Sequence, residues 1–309
     1  MKGLRKVLTP FAPDQSGAVS VLYGLGGMTV IIDAGGCTGN ICGFDEPRWH
    51  DVRSAVFSAG LRDMDAILGR DKLLVSKITS ALERIDASFV ALIGTPVPAT
   101  IATDYKALRR MIEKETDIPV LTLATDGMKL YDEGEALAYR ALIETFVTPK
   151  GDLKEITLGN TPLTYGGASS DVTLDDYRRI GSMTKITAAS ASGIEAAKCL
   201  GMPYEIFSET AASMAETIPS GKVLVCHDEV FGKTLRDKGV TCDIATFFTL
   251  HDEIKEAGDV KITEEDEFSS LVMNGNYDVI VADECLKPLA EDFAGKWIDA
   301  PFFALSGRR

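Results

Sequence analysis

Two of the six cysteines, Cys37 and Cys42, stand five positions apart in the run Asp33-Ala34-Gly35-Gly36-Cys37-Thr38-Gly39-Asn40-Ile41-Cys42-Gly43. Thiols with so little bulk around them can reach a metal ion or an iron–sulfur cluster. Glycine lets the backbone come close to a bulky inorganic core and adopt positive φ. Cys37 and Cys42 are therefore the candidate ligands, with Gly36 and Thr38 beside them as candidate cofactor-binding positions. Asp33, Thr38 and Asn40 offer hydrogen bonds that would tune bound sulfur. Asp, Thr, Asn and Gly are also ordinary turn formers. A disulfide, or two thiols without a role, gives the same pattern.

Other candidates lack partners in sequence. Cys226-His227-Asp228-Glu229 stands at a strand-to-helix junction, but zinc needs two further ligands, and Asp228 is expected to cap the following helix. Cys199 and Cys242 read as small core residues, with Cys242 on an edge-like strand and Cys285 at a strand end. His50, His227 and His251 are too scattered to indicate a metal triad. Arg48, Trp49 and His50 either line a pocket near the cysteines or pack on their own domain. Tyr23-Gly24-Leu25-Gly26-Gly27 precedes a strand, whereas a phosphate fingerprint follows one and opens a helix, so it is read as a turn. No GxxxxGK[ST] loop is present, so an ATP-driven step would belong to a partner.

The elements that must position these residues alternate. Apolar runs at 28–33, 89–94, 120–124, 222–226, 278–282 and 302–305 read as strands. Amphipathic stretches at 70–85, 104–115, 130–146, 192–200, 229–238 and 264–274 read as helices. Continuous apolar strands separated by helices predict parallel sheets covered on both faces, the doubly wound, Rossmann-like α/β class. Ligands in that class bind at the carboxyl ends of strands, where Cys37, Thr95 and Cys226 fall. Breaks at Thr148-Pro149-Lys150-Gly151-Asp152 and Pro219-Ser220-Gly221 divide the chain into an α/β domain at 1–150, a reduced middle segment at 151–218 and a second α/β domain at 219–309.

Bulk properties narrow the function. The 309 residues are 45% hydrophobic and 25% charged, as in soluble globular proteins. A net charge of −14 argues against a nucleic-acid partner, since phosphate needs a basic face. No apolar run reaches the ~18 residues of a membrane span. The basic N-terminus is broken by Thr9-Pro10, which argues against export. Six cysteines without a dense framework suit a reducing cytoplasm.

Taken together, several segments resemble nitrogenase component 1, the molybdenum–iron protein family. Ala12-Pro13-Asp14-Gln15-Ser16-Gly17-Ala18, leading to a strand and Gly35-Gly36-Cys37, is similar to the family's first cluster-binding stretch. Asp65–Leu73 (65–73), the block 89–104 and Ile118-Pro119-Val120 resemble the segments that follow. Ser192-Gly193-Ile194-Glu195-Ala196-Ala197 and Gly201-Met202-Pro203-Tyr204 resemble the middle domain. Gly221-Lys222-Val223-Leu224-Val225 and Ala300-Pro301-Phe302-Phe303 resemble the C-terminal one.

The resemblance implies a short nitrogenase-like oxidoreductase subunit with altered ligands. Of the three cysteines the family gives to an inter-subunit cluster, only Cys37 has a counterpart. Phe11 stands near the first position and Thr95 at the third, while Cys42 is added. Equivalents of the ligands to the dinitrogen-reducing cofactor are missing, which argues against dinitrogen reduction. Two cysteines per chain become four across a two-fold homodimer interface, enough for one [4Fe–4S] cluster. The resemblance further implies an ATP-dependent iron–sulfur reductase, similar to nitrogenase iron protein, and a small-molecule substrate. The alternatives are a cofactor-assembly scaffold and a cluster-free ligand-binding protein on the same fold.

Overall fold

Strands buried along their whole length need cover on both faces, and four of this chain's apolar runs, Met28–Ile31, Val90–Ile93, Val223–Cys226 and Val279–Ala282, meet that condition. The computed structural model describes residues 6–8, 11–69, 71–148, 150–161, 172–301 and 304. Its contacts fall into two units, and each contains parallel sheet only.

The four-stranded unit comprises the described residues within 12–154 and 172–184. Its strands are β1 (Met28–Ile31), β2 (Ala55–Ser58), β3 (Val90–Ile93) and β4 (Val120–Leu123), in the order β2-β1-β3-β4. All pairs are parallel, with Val30 opposite Phe57 and Leu92, and Leu92 opposite Thr122. Its helices are α1 (Asp14–Leu22), α2 (Gly36–Asn40), α3 (Asp63–Leu68), α4 (Asp71–Leu82), α5 (Pro96–Thr100), α6 (Tyr105–Thr116), α7 (Tyr131–Phe146) and α8 (Leu174–Arg179). Leu74, Val75 and Ile78 of α4 join Leu108 and Ile112 of α6 over Val30 and Leu92 in one apolar core. Helices α1 and α7 meet backbone to backbone. A Cβ on Gly17 would stand 2.0 Å from the Tyr131 carbonyl oxygen, and one on Gly134 only 1.7 Å from that of Asp14. From β1 the chain goes to β2 on one side and then to β3 on the other. The β1/β3 border is thus the point where the winding reverses, and its carboxyl end opens the crevice such folds use for ligands.

The two-sheet unit comprises residues 6–8, 11, 155–161, 185–301 and 304. The smaller sheet is β5 (Glu155–Leu158), β6 (Lys185–Ala188) and β7 (Tyr204–Ile206), in that order. The larger contains β8 (Val223–Cys226), β9 (Cys242–Thr246), β10 (Val260–Lys261), β11 (Val279–Ala282) and β12 (Lys296–Asp299), ordered β10-β9-β8-β11-β12. Helices α9 (Ala191–Leu200), α10 (Glu209–Met214), α11 (Glu229–Asp237) and α12 (Glu265–Gly275) belong to it. Ala188 and Ile194 from the small sheet's side pack with Val230, Ile244 and Ile254 from the large sheet's side.

The doubly wound α/β expectation holds in both units. Short, part-exposed strands such as β2, β7 and β12 escaped the sequence because they carry too few buried residues to form an apolar run. Of the strand expected at 302–305, only Ala304 lies within the described residues.

Candidate functional site

The cysteine run is more ordered than a glycine-rich turn. Beyond β1, the buried Asp33 carboxylate accepts the Ser58 hydroxyl at 2.6 Å through Oδ1 and the Thr38 N–H at 2.8 Å through Oδ2. Gly35 turns the chain with φ 111°, a conformation side chains oppose. Helix α2 follows and passes directly into a π-turn, Ile41–Asp45, closed by the Glu46 N–H on the Ile41 carbonyl at 2.8 Å. Glycine, threonine and asparagine are poor helix formers, so local propensity hid α2; the Asp33 bond to the third helical N–H compensates. Asp45 ties the π-turn down, accepting Ser16 Oγ at 2.7 Å and Asn40 Nδ2 at 2.8 Å. π-Turns inside helices are rare and frequent at functional sites.

The following turn, Pro47–His50, packs on its own unit. Arg48 donates to Glu46 at 2.8 and 2.7 Å and to the Ser20 carbonyl at 2.6 Å, with its guanidinium over the Tyr23 ring. Phe44, Trp49 and Val52 remain exposed, at 60%, 40% and 45%.

Cys37 is half-buried and Cys42 is buried. Thr95 opens α5 at the end of β3, and its hydroxyl lies within hydrogen-bonding reach of the Cys37 thiol while donating to the Ile32 carbonyl at 2.8 Å. The crevice therefore brings Cys37 and Thr95 together. Thr38 keeps its Oγ1 buried and unbonded. Gly36, Gly39 and Gly43 border open space: a Cβ at any of them would meet nothing within 4 Å. Among the described residues, no three His, Cys, Asp or Glu side chains converge as a metal set.

Electrostatics keep both thiols protonated. Burial and then the Asp33 charge push Cys37 above the ordinary thiol value, against the Thr95 contact. Burial, Glu46 and Asp33 push Cys42 up to about 11. Neither is an activated nucleophile near neutral pH. A coordinated metal is what deprotonates such a thiol.

The remaining candidates separate. Asp228 caps α11 as expected, accepting the Val230 N–H at 2.8 Å, and also accepts the Ala191 N–H that starts α9 at 3.1 Å. His227 is buried, stacks on Phe231 and meets the Pro301 carbonyl through Nε2 at 3.1 Å; burial lowers its pKa to about 4. Cys226 is buried in β8, and Cys285 is exposed. Cys242 lies on β9, which is interior to its sheet and not an edge. Phe11 packs against Phe247 and Phe248. One grouping was missed: His251 bonds both Glu229 and Glu195. Partners 22 and 56 positions away leave no local signal in the sequence.

The family model for nitrogenase component 1 type oxidoreductases matches residues 14–169, half of the chain. The chain belongs to that family. The match includes Cys37, Cys42 and Thr95, and Phe11 precedes it. No curated protein sequence matches. Among solved structures, a nitrogenase Cp1 at pH 6.5 aligns with TM-score 0.71 and 9% identity, over 99% of this chain and 88% of that one. A nitrogenase Cp1 at pH 5 aligns with TM-score 0.61 and 12% identity, over 98% and 85%. At such identities the likeness is one of fold, and the nitrogenase component 1-like α/β architecture is shared throughout. No described helix is long and apolar enough to cross a membrane.

Proposed function

We propose that this nitrogenase component 1 family member is a homodimeric oxidoreductase subunit that holds an iron–sulfur cluster between two copies and acts on a small-molecule substrate. Its electrons would come from a separate ATP-dependent iron–sulfur reductase in a reducing cytoplasm, since the chain has no phosphate-binding loop of its own. The observation that carries this reading is the Cys37/Cys42 segment. Cys37 stands at the β1/β3 crevice beside Thr95 and Cys42 follows in the π-turn of the same family-matched segment, among three glycines that border open space. Such a donor set fits half of a four-thiolate [4Fe–4S] site, and a two-fold partner supplies the other half. The exposed Phe44, Trp49 and Val52, close in sequence to the pair, suit a subunit contact.

A bound cluster would supply storage and transfer of single electrons. The protein's part is to provide Cys37 and Cys42 as ligands, to let Gly36 and its neighbours approach closely, and to fix the segment through Asp33 and Asp45. The Thr38 hydroxyl stands ready to bond a sulfur.

One observation favours a second reading, an iron–sulfur assembly scaffold. Both thiols are biased toward protonation and Cys37 is partly open, conditions that suit release. Protein purified without oxygen and mixed with an apo-acceptor separates the two. A cluster that stays and turns over with reductase and ATP supports the oxidoreductase; one that passes to the acceptor supports the scaffold. A chain that never takes up iron reverts to a ligand-binding protein on this fold.

A further inference from the structure

His251 lies in the connection between β9 and β10, and both of its ring nitrogens face carboxylates. Nδ1 bonds Glu229 Oε1 at the start of α11, and Nε2 bonds Glu195 Oε1 of α9 at 2.7 Å. The His251 backbone N–H also donates to Glu229. Helix α9 follows the small sheet's β6 and α11 follows the large sheet's β8, so the imidazole joins the helices of two different sheets. The other charged groups around it are Lys198 of α9, 3.5 Å from Glu195 and 3.3 Å from Glu253, and Glu253 itself, which accepts the Tyr204 hydroxyl of β7 at 2.7 Å. Asp252 and Lys255, on the same loop, are exposed.

We infer that His251 is a proton-dependent latch between the two sheets of this unit, closed as an imidazolium and released on its α9 side when the ring loses a proton. The chemistry decides which side lets go. An imidazolium donates from both nitrogens, whereas a neutral ring donates from one and turns a lone pair toward the other carboxylate. Glu229 is fully buried and also holds the His251 backbone, so Nδ1–H stays with it. Glu195 is 38% exposed and can rehydrate, so Nε2 gives it up. Electrostatics agree in direction. Burial disfavours the charged ring, but the bonds to Glu229 and Glu195 and the Glu229 charge outweigh it and raise the His251 pKa above 6.5. For Glu195, burial opposes ionisation and is outweighed by the His251 bond and charge, which lower its pKa.

With the folded value raised, the latch is complete below the free value of 6.5 and is lost as pH rises through the higher folded value. Opening in that window releases one proton, so the opening equilibrium rises toward about tenfold per pH unit. Hydrogen exchange of the full chain from pH 6.5 upward, corrected for intrinsic rates, tests this. Amides of α9 should open with that slope while those of α12 do not, and His251→Gln should flatten it. Equal slopes in wild type and His251→Gln overturn the latch. A histidine NMR titration of the wild-type chain removes dependence on the variant's folding. The His251 ring should titrate above 6.5, and Glu195→Gln, at an exposed site, should lower that midpoint. A His251 midpoint at or below 6.5, or one unmoved by Glu195→Gln, overturns it equally.

Discussion

Asp33 does two jobs with one side chain: it braces the entry to α2 through Ser58 and Thr38, and its charge raises both candidate ligand thiols. Asp33→Asn removes the charge and one acceptor. Stability should fall by about 1–3 kcal/mol, the cost of a buried partner left unbonded. Both thiols should become more acidic, as read by the pH dependence of alkylation followed by mass spectrometry. In cluster-free wild-type protein, Cys42 should react with iodoacetamide much more slowly than free cysteine at pH 8, its rate climbing until pH approaches 11. Fast Cys42 alkylation at pH 8 would contradict the environment described. These roles were only partly legible. The pair announced itself by residue type, because thiols among glycines have few uses. That Asp33 would serve Ser58 and Thr38 was not readable, since Ser58 arrives from a strand with two exposed residues and little pattern.

At the scale of elements, two glycines with opposite surroundings make opposite predictions. Gly134 has no room for a Cβ, because the α1 backbone occupies its place. Gly134→Ala should destabilise the protein by at least about 3 kcal/mol in urea unfolding, the upper range for overpacking. Gly39, in α2, borders open space and does not need positive φ. Gly39→Ala should stabilise the cluster-free chain by about 0.5–1 kcal/mol, the helix-propensity difference. If the open face receives a cluster, the same change should lower the iron retained after anaerobic purification. Elements with uniform burial, such as β1, β3, β8 and β11, were readable as apolar runs. Helix α2 was not, because its stability comes from Asp33 and the π-turn's ties to Ser16 and Asn40, which are side-chain bonds and not propensity.

For the molecule as a whole, His227 sets the response to acid. His227 is held neutral with a pKa lowered to about 4 by burial, against 6.5 for the free group. The unfolded chain therefore binds a proton first. The His227 contribution is complete above 6.5 and declines as pH falls toward 4, by an amount on the order of 3 kcal/mol. Urea midpoints measured across that range should fall, and His227→Phe, which keeps the stack on Phe231, should reduce the slope. An unchanged slope would place the acid sensitivity elsewhere. The sequence marked His227 only as part of a strand-end motif. Its burial depends on Phe231 and Pro301, the latter 74 positions away, and long-range packing of that kind leaves no trace in local spacing.

The central claim is that Cys37 and Cys42 of two chains hold one shared cluster. Iron and sulfide counting on protein purified without oxygen, with electron paramagnetic resonance of the reduced sample, tests it most directly. About two irons and two sulfides per chain, lost in both Cys37→Ser and Cys42→Ser, is the expected result. Iron near zero in the wild type, or a full complement retained by both variants, would contradict it.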